Sequence, residues 1–261
     1  MRAPRPRPPR GHSTWFKHIV RAAIDTVLPR SCAACALSLE RGASPLGWCP
    51  PCLRLLNVSA DRCPCCGLRG DPGACVTCRR HPPAFERTIV VTDYAPPVDR
   101  LIHAFKFGRD LSLARPLGAL AAEHLRRTGI TCRANIPTVI TAIPLSTTRL
   151  ASRGFNQSLE LARAISANTG IALDRTALRR LREGPAQALL DPHARQRNAR
   201  GAFGASAQAG RHVIVVDDVM TTGATLNAAA LALKAAGAVR ITNLVIARTP
   251  EHDVQRRSGP A

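Results

Sequence analysis

Apolar residues follow two different rhythms along the chain, and the change comes near Thr88. Ahead of it, Trp15, Ile19, Ala23 and Val27 recur at helical spacing before Pro29, which predicts a short amphipathic helix. Between Ser31 and Arg80 large apolar residues are sparse, too few for a core of their own. From Thr88 onward, short valine- and isoleucine-rich runs alternate with helical patterns: TIVVTDY, PTVITAI, RHVIVVDD and VRITNLVIA. That alternation predicts an α/β unit, with strands buried on both faces of a mostly parallel sheet flanked by helices. One stretch inside it, LRRLREGPAQALLDPHARQRNARGAF from Leu178 to Phe203, is polar, arginine-dense and weakly patterned, and reads as a mobile loop. The expected organisation is a basic Pro-rich arm and short helix over 1–30, a cysteine-rich module over 31–80, an α/β domain over 81–250 and a tail over 251–261.

The run VIVVDDVMTTGAT, Val213 to Thr225, sets two carboxylates between an apolar strand and small residues that lead into an alanine-rich helix. In an open parallel sheet ligands bind at the carboxyl ends of strands. Small residues there let backbone N–H groups approach an anion at a helix N-terminus. Asp217 and Asp218 beside Thr221, Thr222, Gly223, Ala224 and Thr225 therefore suggest one ligand bearing both hydroxyls and a phosphate. The plainer alternative is an Asp-Asp pair that caps the next helix.

Nine of the ten cysteines fall between Cys32 and Cys78, mostly as C-x-x-C pairs, in a chain whose first residues lack the apolar middle of an export signal. That pattern points to metal rather than disulfides and to a cytoplasmic setting. The pairs Cys32 with Cys35, Cys49 with Cys52, Cys63 with Cys66 and Cys75 with Cys78 supply two four-thiolate sites, which suits structural zinc. Sequential pairing is expected, with interleaved pairing the alternative. Cys65 is a rival ligand to Cys66, against which stands the turn-forming Gly67; Cys132 reads as a packed apolar residue. The formal charge is +20 over 261 residues. Eight thiolates and two zinc ions would lower it to about +16, so a polyanionic partner and a merely solvated basic surface both stay open. No apolar run reaches the roughly 18 residues of a membrane span.

The acid pair followed by T-T-G-x-T resembles the signature by which type I phosphoribosyltransferases bind phosphoribosyl pyrophosphate. The rest of the chain resembles the ComF/GntX family, a double zinc ribbon followed by a type I phosphoribosyltransferase domain. Besides the cysteine pairs, the landmarks are DYAPPVDRLIHAFKF, IPLSTTRLASRGFNQS, and Gln187, Arg195, Asn198 and Phe203 in the arginine-dense segment. The resemblance implies that Asp217 and Asp218 hold the ribose hydroxyls, and that residues 221–225 cradle the 5′-phosphate. It implies Mg²⁺ carried on the pyrophosphate, a catalytic lid containing Arg195 and Arg197, and links to DNA uptake or use. Single-stranded DNA and a protein of the competence machinery become candidate partners. Arg149 and Arg153 are placed to clamp the pyrophosphate, although RGFNQ also reads as a simple turn and cap. Lys106 reads either as a phosphate ligand or as a surface lysine, and His103 as structural. Thr221 stands where 6-oxopurine transferases usually carry an acid, which disfavours guanine or hypoxanthine salvage. Aromatic residues make up 3% of the chain, and no hood that would stack a base is legible, so the acceptor stays open. The alternative is a zinc-ribbon factor that binds DNA or docks a protein, with the phosphoribosyl site sensing a ligand.

Overall fold

The computed structural model describes residues 31–39, 46–56, 61–71, 73–130, 136–182 and 201–250. The arm and helix read over 1–30, Cys132, Gln187, Arg195, Arg197, Asn198 and the tail from 251 lie outside the described residues. Two compact units divide the chain, Met1–Cys52 and Leu53–Ala261. Helix α1 (Pro50–Leu56) runs across the division, and α2 (Val76–Arg80) closes the cysteine-rich region.

The larger unit then reads β1 (Arg87–Asp93), α3 (Val98–Phe107), a 3₁₀ turn (Leu111–Leu113), α4 (Ala114–Arg127), β2 (Thr138–Ala142), α5 (Thr147–Arg153) and α6 (Gln157–Thr169). It continues with β3 (Ala172–Leu173), β4 (Leu178–Arg180), β5 (Phe203–Ala205), β6 (His212–Met220), α7 (Ala224–Ala235) and β7 (Arg240–Arg248). Five strands make one sheet in the order β1-β7-β6-β2-β3, and every pairing in it is parallel. The four apolar runs of the sequence form the edge strand β1 and the three central strands β7, β6 and β2. Val213 to Val216 in β6 and Ile241 to Ala247 in β7 are buried throughout, as strands covered on both faces must be.

Small residues let the helices close on this sheet. A Cβ on Gly118 of α4 would lie 2.4 Å from Ala164 Cβ on α6, so glycine permits that approach. On α7, Ala228, Ala229 and Ala230 are buried and Leu226 and Leu233 fill the same layer. The arginine-dense segment is not loop at its ends: β4 and β5 pair antiparallel, with Arg179 opposite Gly204. This two-stranded ribbon was illegible because its strands are three residues each and carry no alternation. No helix among the described residues is long and apolar enough to cross a membrane.

Candidate functional site

Adjacent parallel strands β2 and β6, with Ala142 opposite Val216, deliver their following loops to the same end of the sheet. The acid pair lies just inside β6, because the ladder continues two residues further through Val219 with Ala247 and Met220 with Arg248. Successive strand side chains face opposite ways, so the two acids find different partners. Asp217 Oδ1 accepts from Ser158 Oγ at 2.9 Å and from the Asp218 N–H at 2.9 Å. Asp218 Oδ1 lies 3.0 Å from Lys106 Nζ at the end of α3, with both side chains largely buried. Burial first, and the neighbouring Asp218 charge second, push Asp217 up to about 7 against the opposing pull of Ser158 and Lys106. Two carboxylates side by side resist double ionisation unless cations or donors answer them.

Arg153 closes this neighbourhood. Burial lowers its pKa, the charge on Asp218 raises it, and Arg149 one turn earlier on α5 lowers it again. Its Nη1 donates to Gln157 Oε1 at 3.2 Å, and its guanidinium lies 4.9 Å from the centroid of the Phe107 ring. Lys106, Arg149, Arg153, Asp217 and Asp218 are thus brought together from α3, α5 and β6. Asn156 does what the turn-and-cap reading of RGFNQ expects, accepting from the Leu159 N–H at 3.3 Å and donating to the Ile143 carbonyl at 3.0 Å. The His103 ring lies 4.8 Å from that of Phe107, tilted by 43°, and Phe107 is 58% exposed, an aromatic surface the sequence does not single out. Ser158 also escaped notice: its partner lies 59 residues away, and no local pattern marks it.

The loop from Thr221 to Gly223 follows directly. Thr221 and Thr222 are exposed, and Gly223 turns the chain at φ +82° into α7. A Cβ on Gly223 would meet only the mobile Met220 Cε, at 2.6 Å, so it is the dihedral that calls for glycine. Thr222 Oγ1 accepts from the Ala224 N–H at 3.4 Å. The first-turn N–H groups of a helix have no intrahelical acceptor, and the dipole favours negative charge there. Chemically, the ensemble offers carboxylates for hydroxyls, N–H groups for an anion and cations beside both.

The cysteines sort sequentially into Cys32, Cys35, Cys49, Cys52 and Cys63, Cys66, Cys75, Cys78, with the sulfurs of each set within 4.8 Å of one another. Tetrahedral zinc with bonds near 2.3 Å sets sulfurs about 3.8 Å apart. Cys35 to Cys49 is 3.6 Å and Cys66 to Cys75 is 3.8 Å, which fits. Burial raises the Cys32 and Cys63 thiols, but backbone N–H donors outweigh it and hold each at about 6. Burial pushes Cys66 up to about 11 and raises Cys52 and Cys78 too, since four thiolates cannot crowd together without a cation. Cys65 falls outside the second set, and Gly67 makes the turn after Cys66 at φ +70°. Among the described residues these are the two groups of three or more metal-binding side chains.

Residues 120–260 match the family model described as "Phosphoribosyl transferase domain". The chain is similar to the DNA utilization protein YhgH of Escherichia coli K12, 34% identical over 225 residues that cover 85% of this chain and 98% of that one. Its counterpart in Salmonella typhi is also 34% identical, over 229 residues with the same coverage. Competence protein F of Haemophilus influenzae is 28% identical over 208 residues, covering 77% of this chain and 90% of the relative.

Proposed function

Because the chain belongs to the ComF/YhgH group of phosphoribosyltransferase-domain proteins, we propose that it binds phosphoribosyl pyrophosphate with Mg²⁺ where β6 meets α7 and transfers the phosphoribosyl group to an acceptor. The observation that carries this reading is the acid pair, with Lys106 at 3.0 Å, beside a glycine turn that opens a twelve-residue helix. Asp217 and Asp218 accept from the ribose hydroxyls. The N–H groups of Thr221, Thr222, Gly223, Ala224 and Thr225 and the threonine hydroxyls hold the 5′-phosphate. Lys106, Arg149 and Arg153 meet the pyrophosphate, and Arg195 and Arg197 are the lid's candidates for answering charge as it leaves. Mg²⁺, when bound with the donor, supplies charge neutralisation to the leaving group. Neither group of three or more metal-binding side chains among the described residues includes the acid pair, so the ion would be held mostly by substrate and water.

The relatives' names, DNA utilization protein and Competence protein F, support a role for this chain in DNA utilisation or competence. A net charge of +20 favours a second reading, in which zinc ribbons and basic residues bind single-stranded DNA or a competence protein and the phosphoribosyl site senses its ligand.

Calorimetric titration of the zinc-loaded protein with phosphoribosyl pyrophosphate and Mg²⁺ tests the first reading. Saturable binding by the wild type, lost in Asp217→Asn/Asp218→Asn, is expected. A folded, zinc-replete wild type that binds nothing would overturn it and leave the DNA-binding account.

A further inference from the structure

At the end of β7, Arg248 is 4% exposed and spans two regions that the sequence separates widely. Its Nε donates to the carbonyl of Cys66, a member of the second cysteine set, at 2.8 Å across 182 residues of chain. Its Nη1 donates to the carbonyls of Met220 at 3.1 Å, Thr249 at 2.8 Å and Thr221. We propose that Arg248 is a positioning residue through which metal bound at Cys63, Cys66, Cys75 and Cys78 orders the loop at Thr221 to Gly223.

The reason is peptide geometry. In a planar trans peptide the carbonyl of one residue and the N–H of the next point in opposite directions. Drawing the carbonyls of Met220 and Thr221 inward onto one guanidinium turns the N–H groups of Thr221 and Thr222 outward, where both residues are exposed. The Thr249 N–H holds the Met220 carbonyl from a second side at 3.0 Å. The loop's donors are thereby aimed before any anion arrives, which lowers the cost of binding one.

At the other end, the Cys66 carbonyl belongs to a turn that metal would pin. The Cys63 N–H donates to Leu68 O at 2.8 Å and the Gly67 N–H to Cys63 O at 2.9 Å. The knuckle is seated on the edge strand: the Thr88 N–H donates to Pro64 O at 2.8 Å, and Arg62 and Arg69 both pair with Asp93. Asp93 lies opposite Arg248 in the ladder, so these contacts gather at the same strand end. Lysine could not replace the fork, because one ammonium cannot face Cys66 and the loop carbonyls together.

The inference rests on the phosphate-binding role proposed for the loop, but its structural half can be measured without that ligand. Amide chemical shifts of Thr221 to Gly223 and hydrogen-exchange protection of the Thr249 amide report the loop. Zinc stoichiometry and melting report folding. Arg248→Met and the milder Arg248→Lys are expected to keep both zinc ions, to shift the loop resonances and to cut Thr249 protection about tenfold or more. Cys66→Ser/Cys75→Ser should shift the same resonances, whereas Cys35→Ser/Cys52→Ser, in a set that none of these bonds touches, should not. Affinity for phosphoribosyl pyrophosphate with Mg²⁺ should fall about tenfold in Arg248→Lys. Unchanged loop resonances in a folded, zinc-loaded Arg248→Lys, or an equal response to loss of metal from either set, overturns the proposal. A wild type that never binds the ligand sinks the function proposed for the site and leaves the loop measurements to decide the coupling.

Discussion

At Cys32 the backbone N–H donates to Leu37 O at 2.7 Å, and at Cys63 its counterpart donates to Leu68 O at 2.8 Å. The parallels continue: Cys49 N–H to Cys32 Sγ and Cys75 N–H to Cys63 Sγ are both 3.3 Å. In each knuckle the residue after the second cysteine adopts positive φ, +58° at Ala36 and +70° at Gly67. Here the two part company. Ala36 bears a Cβ in that conformation, whereas a Cβ on Gly67 would lie 2.4 Å from Val90 Cγ2 on β1. The first position obeys a dihedral constraint; the second obeys a dihedral and a packing constraint together. The same metal-binding turn is therefore exposed at this position in one case and packed on the edge of the α/β core in the other.

Four substitutions press on that difference, the largest effect first. Cys78→Ser should release one zinc ion per chain and lower the melting of the Leu53–Ala261 unit by on the order of 10 °C, read by metal analysis and calorimetry. An equal drop from Cys52→Ser would break the comparison. Gly67→Ala should cost about 2 to 4 kcal/mol in denaturant unfolding, from positive φ plus overlap with Val90. Asp93→Asn comes next. Burial raises this carboxyl, but Arg69 and Arg62 outweigh it and hold it below the usual carboxylate range. A folded pKa below the unfolded one stabilises above the unfolded value and is lost as pH falls through the folded one. The variant should therefore cost about 1 to 2 kcal/mol at pH 7, narrowing toward zero well below pH 4. Ala36→Gly closes the series, with a change within about 1 kcal/mol because relief of positive φ offsets the added chain entropy.

What the sequence reveals about the molecule follows the range of each interaction. The four long strands and α7 are legible because valine runs and alanine periodicity are local. The acid pair, the glycine turn and the sequential cysteine sets are legible for the same reason: each is written within a few dozen residues. Lys106 reads equally as ligand or surface residue in the sequence, since nothing near HAFKF says that its ammonium reaches Asp218, 112 residues on. Arg248 was invisible. A single arginine ending an apolar strand looks like a solvated boundary, and its partners are carbonyls, which carry no side-chain signature. Short strands β3, β4 and β5 were missed because two or three residues are fewer than a periodicity needs.

If the acid pair binds a sugar as proposed, the ion pair between Lys106 and Asp218 would also act as a filter. A neutral sugar that claims the Asp218 carboxylate strands a lysine whose side chain is only 18% exposed, and leaving such a charge unanswered is costly. A ligand that brings its own anion hands Lys106 a replacement partner in the same event. In the proposed site this would disfavour unphosphorylated pentoses relative to phosphorylated ones before any contact to the loop at Thr221 to Gly223 is counted.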